Sequence, residues 1–100
     1  MFIHSVYFWL KENLADEQRA DFARGVRTLP GIEVVSRAHI GMPASTNRPV
    51  IDTSYSYALI LEFTDKAQHD AYQTHPTHLQ FVKDCDSYWT RVQIYDFVEK

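Results

Sequence analysis

Positions 2–10 read FIHSVYFWL, without Gly or Pro, and alternate residues fall into two sets: Phe2, His4, Val6, Phe8, Leu10 and Ile3, Ser5, Tyr7, Trp9. A strand with one face in water carries one apolar and one polar set. Here both sets are largely apolar, which predicts a strand covered on both faces. From Asp16 to Leu29 the period lengthens, and Phe22, Val26 and Leu29, with Leu14 ahead of them, trace a helical stripe. Acids in its first turn and Arg24 and Arg27 near its end suit the helix dipole, and Pro30-Gly31 marks its stop. Period two returns over 32–40 (IEVVSRAHI), where Ile32, Val34, Ala38 and Ile40 oppose the polar Glu33, Arg37 and His39. This predicts a half-exposed strand.

The connection GMPASTNRPVIDTS, from Gly41 to Ser54, has two prolines and no helical period, with Val50-Ile51 as a short extended patch. A loop of this length is uncommon in a compact domain and marks a functional or interface segment. Positions 55–63 (YSYALILEF) predict a third strand, with Tyr55, Tyr57, Leu59, Leu61 and Phe63 on one face and Ala58 and Ile60 on the other. Thr64 or Asp65 is placed to cap the helix KAQHDAYQT, which stops before Pro76. A new helix then starts with that proline in its first turn, where no N–H is needed. In PTHLQFVKDCDSYW, positions 78, 82, 85 and 89 share one stripe, so His78 points inward with Val82, Cys85 and Trp89. The last strand is RVQIYDFV (91–98), alternating Val92, Ile94 and Val98 with Gln93, Tyr95 and Phe97.

The order β-α-β-β-α-β over residues 1–100 predicts a single α+β domain, a ferredoxin-like sandwich of four antiparallel strands with the helices on one face. Helices cover only one face of such a sheet, yet strands one and three are apolar on both, and a bare apolar sheet is rare on a monomer. The pattern therefore predicts a homodimer through the open sheet face, two-fold symmetric, with the two sheets packed as a barrel.

Composition narrows the partners. Ten basic against thirteen acidic side chains give a net charge of −3, without the basic footprint of a phosphate-backbone binder, so nucleic acid is not expected. The segment MFIHSVYFWL has no basic start, holds His4 and Ser5, and lacks a small-residue cleavage site; it reads neither as a signal peptide nor as a membrane span. A single cysteine, Cys85, closes no intrachain disulfide, which points to a reducing, cytoplasmic setting. The scattered glycines Gly25, Gly31 and Gly41 form no phosphate loop, and no cofactor is expected.

The block Tyr72 with His75-Pro76-x-His78, preceded by Ala71 and followed by a helix ending in Trp89 and a strand with Tyr95-Asp96, resembles the stress-responsive α/β-barrel (Dabb) family. His4, Leu29-Pro30-Gly31, Gly41 and Tyr55 with Leu61-Glu62-Phe63 extend the similarity over nearly the whole chain. The resemblance implies a dimeric α+β barrel, in agreement with the burial pattern. Members of the family include stress-induced plant proteins, bacterial proteins without assigned activity, and a plant polyketide cyclase that forms an aromatic acid by aldol condensation. The likeness puts that cyclase's catalytic tyrosine and histidine on Tyr72 and His78, and a pocket histidine on His4. Tyr57 stands in place of a second pocket histidine, and Val26 falls near the cyclase's helix-one tyrosine. The implication is a small dimeric protein with a pocket between helices and sheet, lined by His4, Tyr57, Tyr72, His75 and His78, for a small aromatic or polyketide-like ligand.

Two readings of these residues compete. As an enzyme, His78 is the base that removes a proton beside a carbonyl, because imidazole is largely neutral near pH 7. Tyr72 then orients it or donates to the carbonyl, while His4 and Tyr57 shape the chamber. In a packing reading, His75 caps the restarted helix, His78 bonds a backbone carbonyl or Tyr72, and the tyrosines are core with a polar tip. A cofactor-independent monooxygenase reading rests on the fold alone. His75 and His78, even joined by His4, lack a cysteine pair or an HExxH partner, so no metal centre is expected. Cys85 reads as a small core residue, and His39 and His69 as solvent-facing.

Overall fold

The strand read as apolar on both faces, β1 (Phe2–Leu10), lies inside the sheet of the computed structural model, which describes residues 1–100. Antiparallel neighbours flank it, β3 (Tyr57–Phe63) on one side and β4 (Trp89–Val98) on the other, and β2 (Arg37–Gly41) completes the order β2-β3-β1-β4. This is the ferredoxin-like topology. Three helices, α1 (Asp16–Val26), α2 (Lys66–Gln73) and α3 (Pro76–Cys85), lie on one face. The even-numbered residues of β1 meet them: the Phe8 ring lies 5.2 Å from Phe22 of α1 and 6.1 Å from Phe81 of α3. Phe22 and Val26 are fully buried, and with Phe8, Leu29, Leu59, Leu61, Phe63, Tyr72, Phe81 and Cys85 they form one continuous core. Gly25 permits the α1–α3 approach, because a Cβ there would stand 2.9 Å from the Cys85 Sγ and 3.1 Å from the Phe81 ring.

The local caps follow the sequence. Asp65 accepts from the Gln68 N–H to start α2, and His75 Nδ1 accepts from the Thr77 N–H to start α3 behind Pro76. The first helix ends at Val26 rather than Leu29, since Leu29-Pro30-Gly31 winds into a 3₁₀ turn. The second strand begins at Arg37, not at position 32. Ile32 closes a turn onto Val35, and its apolar side chain is spent on the core from that turn. Val50-Ile51 is not extended: Ile51 N–H bonds Arg48 C=O across a turn. Trp89 opens β4 instead of closing a helix, yet its ring still packs inward on Phe8 and Phe81.

The body measures 37 × 34 × 17 Å, two layers thick. Its opposite sheet face carries Ile3, Ser5, Tyr7 and Trp9 beside Ile60, Tyr95 and Phe97. The 41–54 connection folds over one end of that face, where the Trp9 indole N–H donates to Ser54 Oγ and Tyr55 packs 5.2 Å from Tyr7. Ile3 and Ser5 are buried among their neighbours on this face, whereas Tyr95 is 60% and Phe97 54% exposed. Total accessible surface is 6470 Å², against about 5,900 Å² for a typical monomer of this mass. No helix is long and apolar enough to cross a membrane.

Candidate functional site

His4 stands on the helix-facing side of β1, opposite Leu61 of β3 and Asp96 of β4. Above it, α2 brings Tyr72 to a ring distance of 6.0 Å, and α3 brings His78 to 4.7 Å from Tyr72. Tyr72 and His78 are six positions apart, a spacing that does not share one face of a straight helix. The break at His75-Pro76 turns the chain and lets the two rings meet. Phe63, 5.4 Å from Tyr72, walls the group from β3.

Each polar atom here has a distinct state. His78 Nδ1–H donates to the Gln73 backbone carbonyl at 3.0 Å, which leaves Nε2 with the free lone pair when the ring is neutral. Burial holds the His78 pKa below its usual value of 6.5, against the opposing pull of that carbonyl. His4 is lowered likewise, by burial, although its Nδ1 bonds the Asp96 carboxylate at 2.5 Å. Burial raises the Tyr72 phenol well above its ordinary range, so it is a donor throughout the physiological pH range. No fully buried side-chain polar atom lacks a partner. The Tyr72 hydroxyl, which bonds no residue of the chain, therefore reaches accessible space although the residue is 1% exposed.

These lowered values set a pH dependence. The unfolded chain's histidines take up protons near pH 6.5, whereas His4 and His78 in the folded chain do so only below it. Acidification thus favours the unfolded state: their contribution is intact above pH 6.5 and is lost as the pH falls through the lowered values. The melting temperature should drop between pH 7 and 5, and His78→Gln should flatten that slope. An unchanged slope in the variant would remove His78 from the account.

The other residues read from the sequence lie apart. Tyr57 pairs with Phe8, four register positions from His4, and packs 5.1 Å from Phe22. His75, the N-cap of α3, turns its Nε2 away to Glu33, 3.3 Å distant. Two surface cavities are prominent, and neither is bounded by His4, Tyr72, His75 or His78. One of about 810 Å³ lies between α1 and α3, lined by Asp21, Arg24, Gln80 and Asp84; the other, about 340 Å³, lies on the open sheet face among Tyr7, Trp9, Tyr55 and Arg91. Cys85 is a buried free thiol, raised by burial, as its apolar stripe indicates.

Two participants escaped the sequence reading. His69, expected in solvent, is 12% exposed at its side chain and lies 4.9 Å from the His4 ring and 4.5 Å from Phe2. It sits one helical turn before Tyr72, so the spacing that turns Tyr72 inward turns His69 inward too. Asp96 interrupts the apolar set Val92, Ile94, Val98 on the helix-facing side of β4, and that one acid was the available signal. His39, by contrast, is solvent-facing and pairs with Glu62.

No curated protein matches the sequence. Solved structures do. A Dabb family protein with a ferredoxin-like fold from Mesorhizobium loti is 26% identical, with a TM-score of 0.79 over 99% of this chain and 96% of that one. A dimeric ferredoxin-like protein of unknown function from Thermobifida fusca is 16% identical, with a TM-score of 0.78 over 98% and 90%. The hydroxynitrile lyase from Passiflora edulis is 17% identical, with a TM-score of 0.80 over 99% and 93%. At such identities the last two share the fold alone. The sequence pattern of the stress responsive A/B barrel domain matches residues 2–99, and on that match the chain belongs to the stress-responsive A/B barrel, or Dabb, family.

Proposed function

We propose that two copies of this chain pair sheet to sheet, and that each binds a small aromatic or polyketide-like molecule against Tyr72, His78 and His4. One observation carries the ligand reading: a phenol donor without a partner and an imidazole with a free Nε2 lie ring to ring, 4.7 Å apart. A satisfied core would have bonded them to the protein. Together they offer one donor and one acceptor, which suits a ring that carries a carbonyl beside a phenolic or enolic hydroxyl. Tyr57 and His75 fall outside this contact set. No prominent cavity is bounded by the cluster. The pairing is supported by about 600 Å² of surplus surface, close to what one partner contributes to a standard interface. The Thermobifida fusca neighbour is itself described as dimeric. A cytoplasmic setting rests on the single free thiol of Cys85.

A second reading, acid–base catalysis of the lyase or cyclase type, is favoured by the fixed tautomer of His78. The Gln73 carbonyl holds its proton on Nδ1 and aims a basic nitrogen away from the backbone. Thermal-shift screening of small aromatic acids and β-polyketide mimics tests the ligand reading. Expected is at least one compound whose stabilisation grows with the logarithm of its concentration. A panel that leaves the melting temperature unmoved to its solubility limits makes the cluster packing only.

A further inference from the structure

We propose that His4, His69 and Asp96 form a binding site for a divalent transition-metal ion of the zinc type, one per chain. The three come from different elements, β1, α2 and β4, and one donor atom from each lies within 4.8 Å of both others. Two imidazoles and one carboxylate are a donor set for zinc, cobalt or ferrous ions rather than for calcium or magnesium, which prefer oxygen ligands alone. Their surroundings resemble those of a ligand shell. His69 Nδ1 bonds the Asp70 carboxylate at 3.0 Å, and Lys66 holds that carboxylate at 2.7 Å. The bond keeps the His69 proton on Nδ1 and presents Nε2 as a donor atom, the arrangement in which an outer carboxylate orients a metal-bound imidazole. The Gln73 side chain now fills that position, 3.1 Å from Nε2. The His4 Nδ1–Asp96 hydrogen bond, 2.5 Å long, already draws two of the three side chains together. Phe2 and Phe63 flank His69 and exclude water from one side, while Asp96, 39% exposed at its side chain, leaves an entry and an open position for a fourth ligand.

Zinc bonds of about 2.1 Å put donors roughly 3.4 Å apart. Seating an ion therefore parts the His4 Nδ1–Asp96 pair from its present 2.5 Å and draws His69 in from within 4.8 Å. This site does not depend on the ligand reading, and its test uses metal alone.

The chain, stripped with a chelator, is titrated with Co²⁺ while its visible absorption is followed, and with Zn²⁺ in competition. Saturation at one ion per chain is expected. His69→Gln and Asp96→Asn should each weaken binding at least about a hundredfold, and Asp70→Asn, on the exposed rim, about tenfold. His39→Gln, on the other sheet face, should leave it unchanged. Circular dichroism of each stripped variant checks the fold, and Asp70→Asn keeps the test decisive if either direct ligand variant fails to fold. Absence of saturable binding, or binding that survives loss of these side chains, overturns the proposal.

Discussion

Replacing Tyr95 and Phe97 together by glutamate should give a folded chain that sediments as a single protomer at concentrations where the parent sediments as two. Both rings stand on the open sheet face of β4 and are more than half exposed in the isolated chain, so the substitution removes little from the protomer's own core. In a sheet-to-sheet pair each ring occurs twice. Losing about 2 kcal/mol of burial per ring, and placing carboxylates where water is excluded, weakens association by at least about a thousandfold. Sedimentation velocity over a concentration series reads the effect directly. A double variant that stays dimeric would mean that the copies meet elsewhere.

Phe22→Ala should have the largest effect on the protomer itself. Phe22 is fully buried and its ring touches four others: Tyr57 at 5.1 Å, Phe8 at 5.2 Å, Phe81 at 6.0 Å and Trp89 at 6.4 Å. These neighbours come from the sheet and from α3, so none can fall into the space without breaking its own contacts. Truncation of such a ring costs about 3–5 kcal/mol, a large share of the roughly 5–15 kcal/mol available to a domain. At fixed protomer concentration the melting temperature should fall by at least about 12 °C. A drop of only a few degrees would place the core elsewhere than in the contact of α1 with β1 and α3.

The fold was legible because parity and period are local properties. The double apolar sets of β1 announced a strand buried on one side by helices and available to another sheet on the other. The proline at position 76 announced the helix break that brings Tyr72 and His78 together. The missed boundaries are places where tertiary contacts overrode a local pattern. Ile32 and Val34 alternate like a strand, yet the chain turns at Ile32 because Leu29 has already committed it to the core. Register was not legible, and the errors at the site follow from it. Tyr57 and His4 share a sheet face, but only the pairing of Phe8 with Tyr57 shows them four positions apart. The pairing of His4 with Asp96 depends equally on how β4 slides along β1. His69 was misread for a different reason: a polar residue on a short, mostly polar helix reads as solvent-facing until the ring beneath it, Phe2, is placed.

The central claim is that the Tyr72 phenol and the His78 imidazole face a ligand. Tyr72→Phe tests it most directly, with thermal melts of parent and variant run with and without the best compound from the screen. Because the hydroxyl bonds nothing within the chain, the variant alone should melt within about 1 °C of the parent. The ligand-induced rise should be reduced or lost. An undiminished rise in Tyr72→Phe would contradict the account.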